Sequence, residues 1–170
     1  MLTRLSIRNI VLIEALDLDF AGGLGVLTGE TGAGKSILLD ALGLVLGDRA
    51  EAGLVRAGED SASVSATFEF ARFPPPIAEL LEQVGIELEP GEPLILRRQL
   101  RASSDSLASK AFVNDQPVGV ALLRAMAGAL VEVHGQHDDR GLVNPSGHRL
   151  LLDRFAGADT AGVAAAWRDW

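Results

Sequence analysis

A run of eight residues near the N-terminus has the types and spacing needed to hold a chain of phosphates. It fits the pattern G-x-x-x-x-G-K-[ST] at every fixed position: Gly29, Glu30, Thr31, Gly32, Ala33, Gly34, Lys35 and Ser36. Glycines allow backbone conformations with positive φ and let main-chain N–H groups approach phosphate oxygens. A helix that begins near Lys35 directs its free N–H groups at the same anion. These residues therefore predict a nucleoside triphosphate site.

The residues of this loop have separate predicted roles in holding ATP with Mg²⁺. Lys35 is expected to bridge the β- and γ-phosphates, and the Ser36 hydroxyl to bind the metal ion. Ile37, the next residue of the helix, is included among the predicted nucleotide contacts. Glu30 belongs to the loop, but we expect its carboxylate to face solvent. The alternative is a glycine-rich turn between a strand and a helix that binds no ligand.

The elements around the loop are those that this type of site requires. Residues 2–20 predict two strands, and Leu24 to Thr28 predicts a short apolar strand that leads into the loop. Ile37 to Leu46 is apolar nearly all round, which predicts a buried helix closed by Gly47. A strand before the loop and a helix after it predict an α/β fold. A central sheet then carries the loop and its helix.

The middle of the chain predicts a more antiparallel β subdomain, formed by the N-terminal strands and residues 61–113. Residues 61–70 and the strands starting at Leu94 and Ala111 belong to it, with a polar connection over 102–109 and a turn at Asn114-Asp115. Ile77 to Val84 predicts a short helix. Pro117 suits the first turn of another helix, with a buried stripe that contains Val118, Ala121, Leu122, Ala125 and Met126. Residues 130–133 predict a further strand.

The composition limits the classes of protein to consider. The chain has 170 residues, of which 48% are hydrophobic, enough for one domain with a core. It has no cysteine, so disulfides and thiolate metal sites are excluded, and the N-terminal residues lack a signal-peptide pattern. No stretch of about 18 apolar residues predicts a membrane span. We therefore expect a cytoplasmic protein with no membrane partner.

The net charge of −8 at pH 7 does not favour a protein that binds nucleic acid through bulk charge. Any DNA contact would have to come from a local patch or from a part of the protein outside this sequence. The candidates for a local patch are Arg97, Arg98, Arg101 and Lys110. A solvated strand edge is the interpretation of these residues that we favour from the sequence.

Four blocks in the sequence carry a family resemblance in their order and combination. They are Leu5-Ser6-Ile7-Arg8-Asn9, the loop from Gly29 to Ser36, Leu46-Gly47-Asp48-Arg49-Ala50, and His134-Gly135-Gln136-His137-Asp138. Together they resemble the RecN family of bacterial DNA-repair proteins, which are SMC-like ATPases. The resemblance covers essentially the whole chain and implies the N-terminal lobe of an ABC/SMC-type P-loop NTPase head. It implies a mixed sheet with an antiparallel β subdomain.

The resemblance implies roles for residues outside the loop. Gln136 matches the Q-loop glutamine, which helps to hold Mg²⁺ and positions the attacking water. Arg56 aligns with an arginine that stabilises phosphate charge, although an exposed loop arginine is nearly as good an interpretation. Arg8 and Asn9 occupy the place where such heads approach the base and ribose of the nucleotide. His134 and His137 flank Gln136 without an evident third metal ligand, so we favour supporting roles over a metal pair.

Two parts of a complete ATPase site are missing from the sequence. The nearest match to four apolar residues followed by Asp-Glu is Leu150-Leu151-Leu152-Asp153, but an arginine follows, and we interpret it as a helix face. A Leu-Ser-Gly-Gly signature is also missing. The resemblance implies that a C-terminal half of the same head supplies both elements. We therefore expect this chain alone to be nearly inactive as an ATPase.

The same resemblance implies the partners and the location of the complete protein. ATP would join two heads in a homodimer, and double-strand DNA ends would be the repair substrate. The protein would be cytoplasmic and nucleoid-associated. Residues 1–156 would form the head lobe. Residues 157–170, in which Val163, Trp167 and Trp170 follow helical spacing, would begin a helix directed toward a coiled coil.

Two other classes of function fit parts of the sequence. A self-contained P-loop enzyme, such as a small-molecule kinase, could use Arg97, Arg98 and Arg101 as a lid, but no acceptor motif accompanies them. An Asn-Lys-x-Asp motif for reading guanine is not present. A non-catalytic interaction module could use the stripe of Val163, Trp167 and Trp170 as a surface for a partner helix.

Overall fold

The computed structural model describes residues 1–28, 34–89, 91–103 and 106–131, and also residues 148–149, 152–153, 155–156, 158 and 160–169. Contacts divide the chain into two compact units, Met1–Val131 and Glu132–Trp170. The domain boundary expected between residues 156 and 157 stays a prediction. In the second unit, a helix spans Thr160–Asp169, and Val163 and Trp167 on it are exposed.

The first unit is built on one six-stranded sheet. Its strands, in chain order, are β1 (Leu2–Ile10), β2 (Ile13–Asp19), β3 (Ser61–Phe68), β4 (Leu94–Ala102), β5 (Leu107–Val113) and β6 (Gln116–Val118). The spatial order is β2-β1-β3-β4-β5-β6, and all five pairings are antiparallel. The predicted antiparallel subdomain is therefore this sheet. Strands β1 to β5 come from the two segments that were expected to form it, and β6 extends it beyond residue 113.

Three helices complete the unit: α1 (Gly34–Val45), α2 (Pro75–Gln83) and α3 (Val120–Leu130), with a 3-10 turn at Ala52–Leu54. Their buried side chains join those of the strands in one hydrophobic core. A helix of the second unit, α4, spans Thr160–Asp169. The predicted α/β fold is confirmed. Parallel strand pairs, which a mixed sheet would require, do not occur within the described residues.

The two faces of the sheet differ because successive side chains on a strand point in opposite directions. The core face is apolar and carries residues such as Ile7, Val64 and Leu96, all 0% exposed. The opposite side, which we call the open face, carries polar residues at the alternate positions, such as Ser65 between Val64 and Ala66. Helix α1 packs on the core face, so it lies on the other side of the sheet from these polar groups.

The segment Leu24 to Thr28 differs from the sequence expectation. It belongs to none of the strands that the structure assigns, and Leu24 and Val26 are 95% and 75% exposed. Apolar character alone predicted a strand there, but a strand needs a neighbour to pair with. The segment has the apolar side chains of a buried strand without such a neighbour among the described residues.

The segment from Asn114 to Leu130 was predicted only in part. Asn114 and Asp115 have φ angles of 43° and 64° and form the expected turn, between β5 and β6. Pro117 was wrongly expected to start a helix. It lies in the edge strand β6, where the missing N–H of proline costs no hydrogen bond to a further strand. The helix starts three residues later, which shifts the buried stripe to Leu123 and Met126.

Two smaller differences concern the neighbouring strands. The polar connection expected over 102–109 is shorter, because β4 continues to Ala102 and β5 begins at Leu107. A strand was expected at 130–133, but Leu130 is the last residue of α3. Val131, which follows it, has an extended backbone. No helix in the described part of the chain is long and apolar enough to cross a membrane.

Candidate nucleotide site

Helix α1 is placed so that its first turn is available to a ligand. Gly34, Lys35 and Ser36 are exposed, whereas Ile37, Ala41, Leu44 and Val45 are buried against the sheet. The first turn contains no acidic residue, so nothing there opposes the positive end of the helix dipole. An anion can therefore approach the N-terminus of a helix that is anchored through its opposite side.

The other end of α1 is fixed by a close backbone approach. Gly47 has φ +102°, and its amide donates to the Leu44 carbonyl at 3.2 Å. A Cβ at this position would lie 2.7 Å from the backbone nitrogen of Arg124 in α3, so only glycine fits. The Arg124 guanidinium in turn donates to the Gly47 carbonyl at 2.8 Å. Helix α3 thus holds the end of α1 and, through it, the position of the phosphate-binding turn.

Several predicted site residues lie outside the described residues. These are Gly29, Glu30, Thr31, Gly32 and Ala33 of the loop, and Gln136 with its neighbours His134 and His137. Their roles stay predictions. Of the two residues predicted to bind Mg²⁺, Ser36 is therefore the one that the structure places, at the exposed start of α1. The side chain of Ile37 belongs to the core, so a nucleotide contact from this residue would involve its backbone amide.

Arg56 is held against the turn between β1 and β2. Its guanidinium donates to the Leu12 carbonyl at 2.7 Å and lies 3.9 Å from the carboxylate of Glu14. Its own amide donates to the Asn9 carbonyl at 2.9 Å. Arg56 is thus tied to the hairpin by both its backbone and its side chain. A phosphate contact from it stays a prediction and would require the side chain to leave the Leu12 carbonyl.

Asn9 shapes the end of strand β1. It has φ 54°, a left-handed conformation that asparagine tolerates better than most residues. Its side-chain amide donates to the Glu59 carboxylate at 3.1 Å and to the Ser61 carbonyl at 3.2 Å. Asn9 therefore joins the hairpin to the segment that precedes β3, and it brings two predicted site residues, Asn9 and Arg56, into contact.

Arg8 lies on the open face of the sheet, opposite the face that α1 covers. Its guanidinium donates to the Asp17 carboxylate at 2.7 Å and to the carbonyls of Ile7 and Leu16. The hydrogen bond from Arg8, together with a smaller one from Ser6, lowers the pKa of Asp17 from its usual value. The structure thus does not place Arg8 beside the start of α1, and its predicted contact with base or ribose stays a prediction.

Arg98 is a buried cation that the sequence interpretation placed wrongly, in a surface patch with Arg97. Neighbouring residues of a strand face opposite sides, so the two arginines cannot share a surface. Arg98 is 3% exposed on the core face, and its Nε donates to the Ser109 hydroxyl at 2.9 Å. Burial, and to a smaller extent the nearby charge of Arg124, lower its pKa. The alternation of apolar and polar residues along Leu94–Ala102 could have shown that Arg98 belongs to the buried face.

The geometry also does not support the kinase lid that was considered as an alternative. Arg97, Arg98 and Arg101 all lie within strand β4, which is paired on both sides over their positions. Such a lid must close over a bound nucleotide, whereas these residues belong to the interior of a sheet.

Comparisons with known proteins agree with the motifs. The DNA repair protein RecN of Vibrio cholerae serotype O1 is 42% identical over the whole chain, and that of Bacillus subtilis strain 168 is 39% identical over 99% of it. RecN of Haemophilus influenzae is 41% identical over 92% of the chain. The chain spans only 27–30% of the length of these relatives. The resemblance to RecN proteins that the four blocks indicated is confirmed.

A solved structure supports the fold. The structure described as the recombination mediator protein RecF-ATPrS in the RecFOR pathway matches 72% of this chain and 29% of its own, with a TM-score of 0.50 and 17% identity. At that identity the likeness concerns the fold alone. The family model of the AAA domain matches residues 4–120, which include the phosphate-binding loop, most of β1, strands β2 to β6 and the start of α3. The chain therefore belongs to the AAA domain family.

Proposed function

We propose that this chain is the ATP-binding lobe of an SMC-like ATPase that acts in DNA double-strand-break repair and recombination. The observation that carries the proposal is the exposed first turn of α1, Gly34 to Ser36, directly after the glycine-rich loop. The identity of 42% to a DNA repair protein over the full chain supports the repair role. RecF-ATPrS, whose fold this chain shares in part, is itself described with a nucleotide.

ATP with Mg²⁺ is the expected ligand of this turn. The amides of the loop and of the first turn of α1 would surround the β- and γ-phosphates, and Lys35 would neutralise part of their charge. Ser36 and Gln136 would hold Mg²⁺, and the charge of Arg56 would act on the phosphates. Phosphoryl transfer depends mostly on positioning and on electrostatic stabilisation, and the residues of this lobe supply part of both.

A second lobe is needed to complete the reaction. The chain contains no apolar segment followed by Asp-Glu, and Asp153 in the nearest match forms a helical i, i+4 pair with Arg149 at 3.7 Å. The exposed apolar side chains of Leu24, Val26 and Leu27 support the same idea, because they lead into the loop and no strand of the described residues pairs with them. The C-terminal half of the head would supply this strand and the acid that activates water.

In the complete protein, ATP would join two heads, and hydrolysis would release them. Double-strand DNA ends would be the substrate that this cycle holds. A protein with this activity would work in the cytoplasm, associated with the nucleoid. The chain alone would bind ATP and hydrolyse it hardly at all.

Removal of the Lys35 ammonium tests the nucleotide site. Lys35→Ala should weaken binding of a fluorescent ATP analogue by about 10-fold or more, since a charge-assisted contact to phosphate is lost. Lys110→Ala is the matched control, because Lys110 is the only other lysine in the chain and lies in β5. The control should bind ATP like wild type. Equal affinity of Lys35→Ala and wild type would rule out the site.

Phosphate release by the unmodified chain tests the need for a second lobe. We expect a rate close to the background without protein. Substantial turnover by residues 1–170 would contradict this, as would a preference for GTP or phosphate transfer to a small acceptor, which would favour the self-contained P-loop enzyme.

A further inference from the structure

A concave site of about 360 Å³ lies on the open face of the sheet, on the side that α1 does not cover. We call it the basic groove and define it by six of its seven polar lining residues, which are Arg8, Ser61, Ser63, Gln99, Arg101 and Lys110, the seventh being Asn9. The strand register explains why they meet. Ser63 pairs with both Arg8 and Gln99, and Gln99 also pairs with Lys110, so these four form one row across strands β1, β3, β4 and β5.

The cations of the open face fall into two groups. Arg4, Arg8 and Arg97 are each paired with a carboxylate, those of Asp17, Asp19 or Asp115. Among the described residues, Arg101 and Lys110 have no carboxylate partner, and both are exposed. The groove therefore concentrates uncompensated positive charge at one place in a chain whose net charge is −8.

We propose that the basic groove binds the phosphate backbone of duplex DNA, with Arg101 and Lys110 as the primary contacts. This inference rests on the proposed function, which makes DNA the substrate, and it locates the surface that DNA contacts. The charge of the groove and the polyanionic backbone are complementary, and the groove offers the donors that backbone contacts use, namely arginine, lysine, serine and glutamine side chains.

The spacing of the cations fits a duplex. Strands of a sheet lie about 4.8 Å apart, so Arg8 and Lys110 are separated by about 14 Å across three spacings. Arg101 lies two residues along β4 from Gln99, or about 7 Å from the row. The major groove of DNA is about 12 Å wide, so Lys110 and Arg8 can contact phosphates on opposite sides of it once Arg8 leaves Asp17. Arg101, on β4 between them, adds a contact near Lys110.

The chemistry of the groove favours duplex over single-stranded DNA. Single strands are held largely by stacking of bases on aromatic rings. Phe112 is the one aromatic residue among the described strands of the open face, and the Arg97 guanidinium covers its ring at 4.7 Å from the centroid. The groove therefore has donors for phosphates and no free ring for a base.

The carboxylates of the open face set the strength of this contact. Asp17 holds Arg8 at 2.7 Å and lies 3.8 Å from Arg4, so both arginines are partly neutralised. Binding through Arg101 and Lys110 alone would be weak and sensitive to salt. Loss of the Asp17 charge would release Arg8 toward the groove and strengthen the contact with DNA.

Binding of a fluorescein-labelled random duplex, followed by anisotropy at several salt concentrations between about 50 and 200 mM, tests the proposal, because log K should fall linearly with log salt. Arg101→Gln and Lys110→Gln should each reduce the slope of log K against log salt by about 0.9, and the double variant should bind about 10-fold more weakly at the low end. Arg4→Gln removes the same charge from the same face, but its cation is already paired. It should change the slope by much less.

Parallel measurements separate this inference from the proposed function. The double variant should keep the thermal midpoint of wild type and its affinity for the ATP analogue, since neither residue belongs to the nucleotide site. Asp17→Asn should bind the duplex more tightly. A double variant that binds duplex like wild type would overturn the inference while ATP binding stands. So would a preference of wild type for a single strand of equal length.

Discussion

The two faces of the sheet use arginine in opposite ways. On the core face, Arg98 is 3% exposed, has one hydrogen bond to the Ser109 hydroxyl, and has no carboxylate partner among the described residues. On the open face, Arg97 lies over the Phe112 ring and pairs with Asp115 at 2.7 Å. Both residues are arginine, but burial determines how each affects stability. On the core face the guanidinium loses its contact with water, whereas on the open face it remains hydrated.

The two faces of the sheet also have different roles, one in fixing the fold and one in presenting charged side chains. The core face fixes helix α1 and thereby the first turn that is proposed to hold phosphates. The open face carries the charges, and it can change its ionic contacts without disturbing the core. Substitutions on the two faces should therefore affect different measurements.

Truncation of a core-face leucine should have the largest effect on stability. Leu96 is 0% exposed, and Leu96→Ala should lower the free energy of unfolding by about 2–5 kcal/mol, through lost burial and a residual cavity. Ser65→Ala, on the open face of the adjacent strand β3, should change it by no more than about 0.5 kcal/mol. Urea denaturation measures both. Similar losses for the two variants would mean that the faces are not distinct in packing.

Buried positions usually tolerate substitution less well than exposed ones. For replacement of Arg98 and Arg97 by methionine we expect the opposite order of effects on the free energy of unfolding. Arg98→Met should leave the free energy of unfolding unchanged or raise it by about 1 kcal/mol, because an isolated buried charge is replaced by an apolar chain of similar length. Arg97→Met should lower it by about 1 kcal/mol through loss of the cation–π contact and the ion pair. A large loss on Arg98→Met would show that Arg98 has a partner that stabilises its charge in the folded protein.

The smallest expected effect is that of pH on the pair of Arg8 and Asp17. The pKa of Asp17 is lowered in the folded state, so its contribution to stability is present above its unfolded value, about pH 4. It is lost as the pH falls through the lowered folded value. The thermal midpoints of wild type and Asp17→Asn should thus differ slightly at neutral pH and converge below about pH 4. If the difference between the two thermal midpoints grew as the pH fell, a lowered pKa of Asp17 in the folded state would be contradicted.

Much of the fold could be predicted from local patterns. The alternation of β3 indicated a half-buried strand, and Asn114-Asp115 indicated a turn, because both signals depend only on neighbouring residues. The strand order could not be predicted, since it depends on contacts between β1 and β3, which are distant in sequence. Pro117 was misplaced because its fixed φ suits both a helix start and an edge strand.

The sequence predicted the residues of the phosphate-binding turn well, but it did not predict which charged residues lie together in space. Gly34, Lys35 and Ser36 lie where the motif requires, at the exposed start of α1. The cluster of Arg97, Arg98, Arg101 and Lys110 was inferred from closeness in sequence. Strand geometry buries Arg98, Arg97 pairs with Asp115 outside the basic groove, and Arg8 joins Arg101 and Lys110 there. That addition depends on the pairing of β1 with β3, which only a structure supplies.

The order of strands in the sheet also has a consequence for how fast the chain folds. The hairpin of β1 with β2 and the meander of β4, β5 and β6 join neighbours in sequence, and such hairpins form within about 1–10 μs. Strand β3 must instead pair with β1, which places Arg8 opposite Ser63 and closes a loop that contains the whole of α1. The entropy of closing this loop is lost before the contacts form, so we expect this pairing to be slower than the hairpins. Docking of the phosphate-binding helix would then coincide with the rate-limiting step of folding.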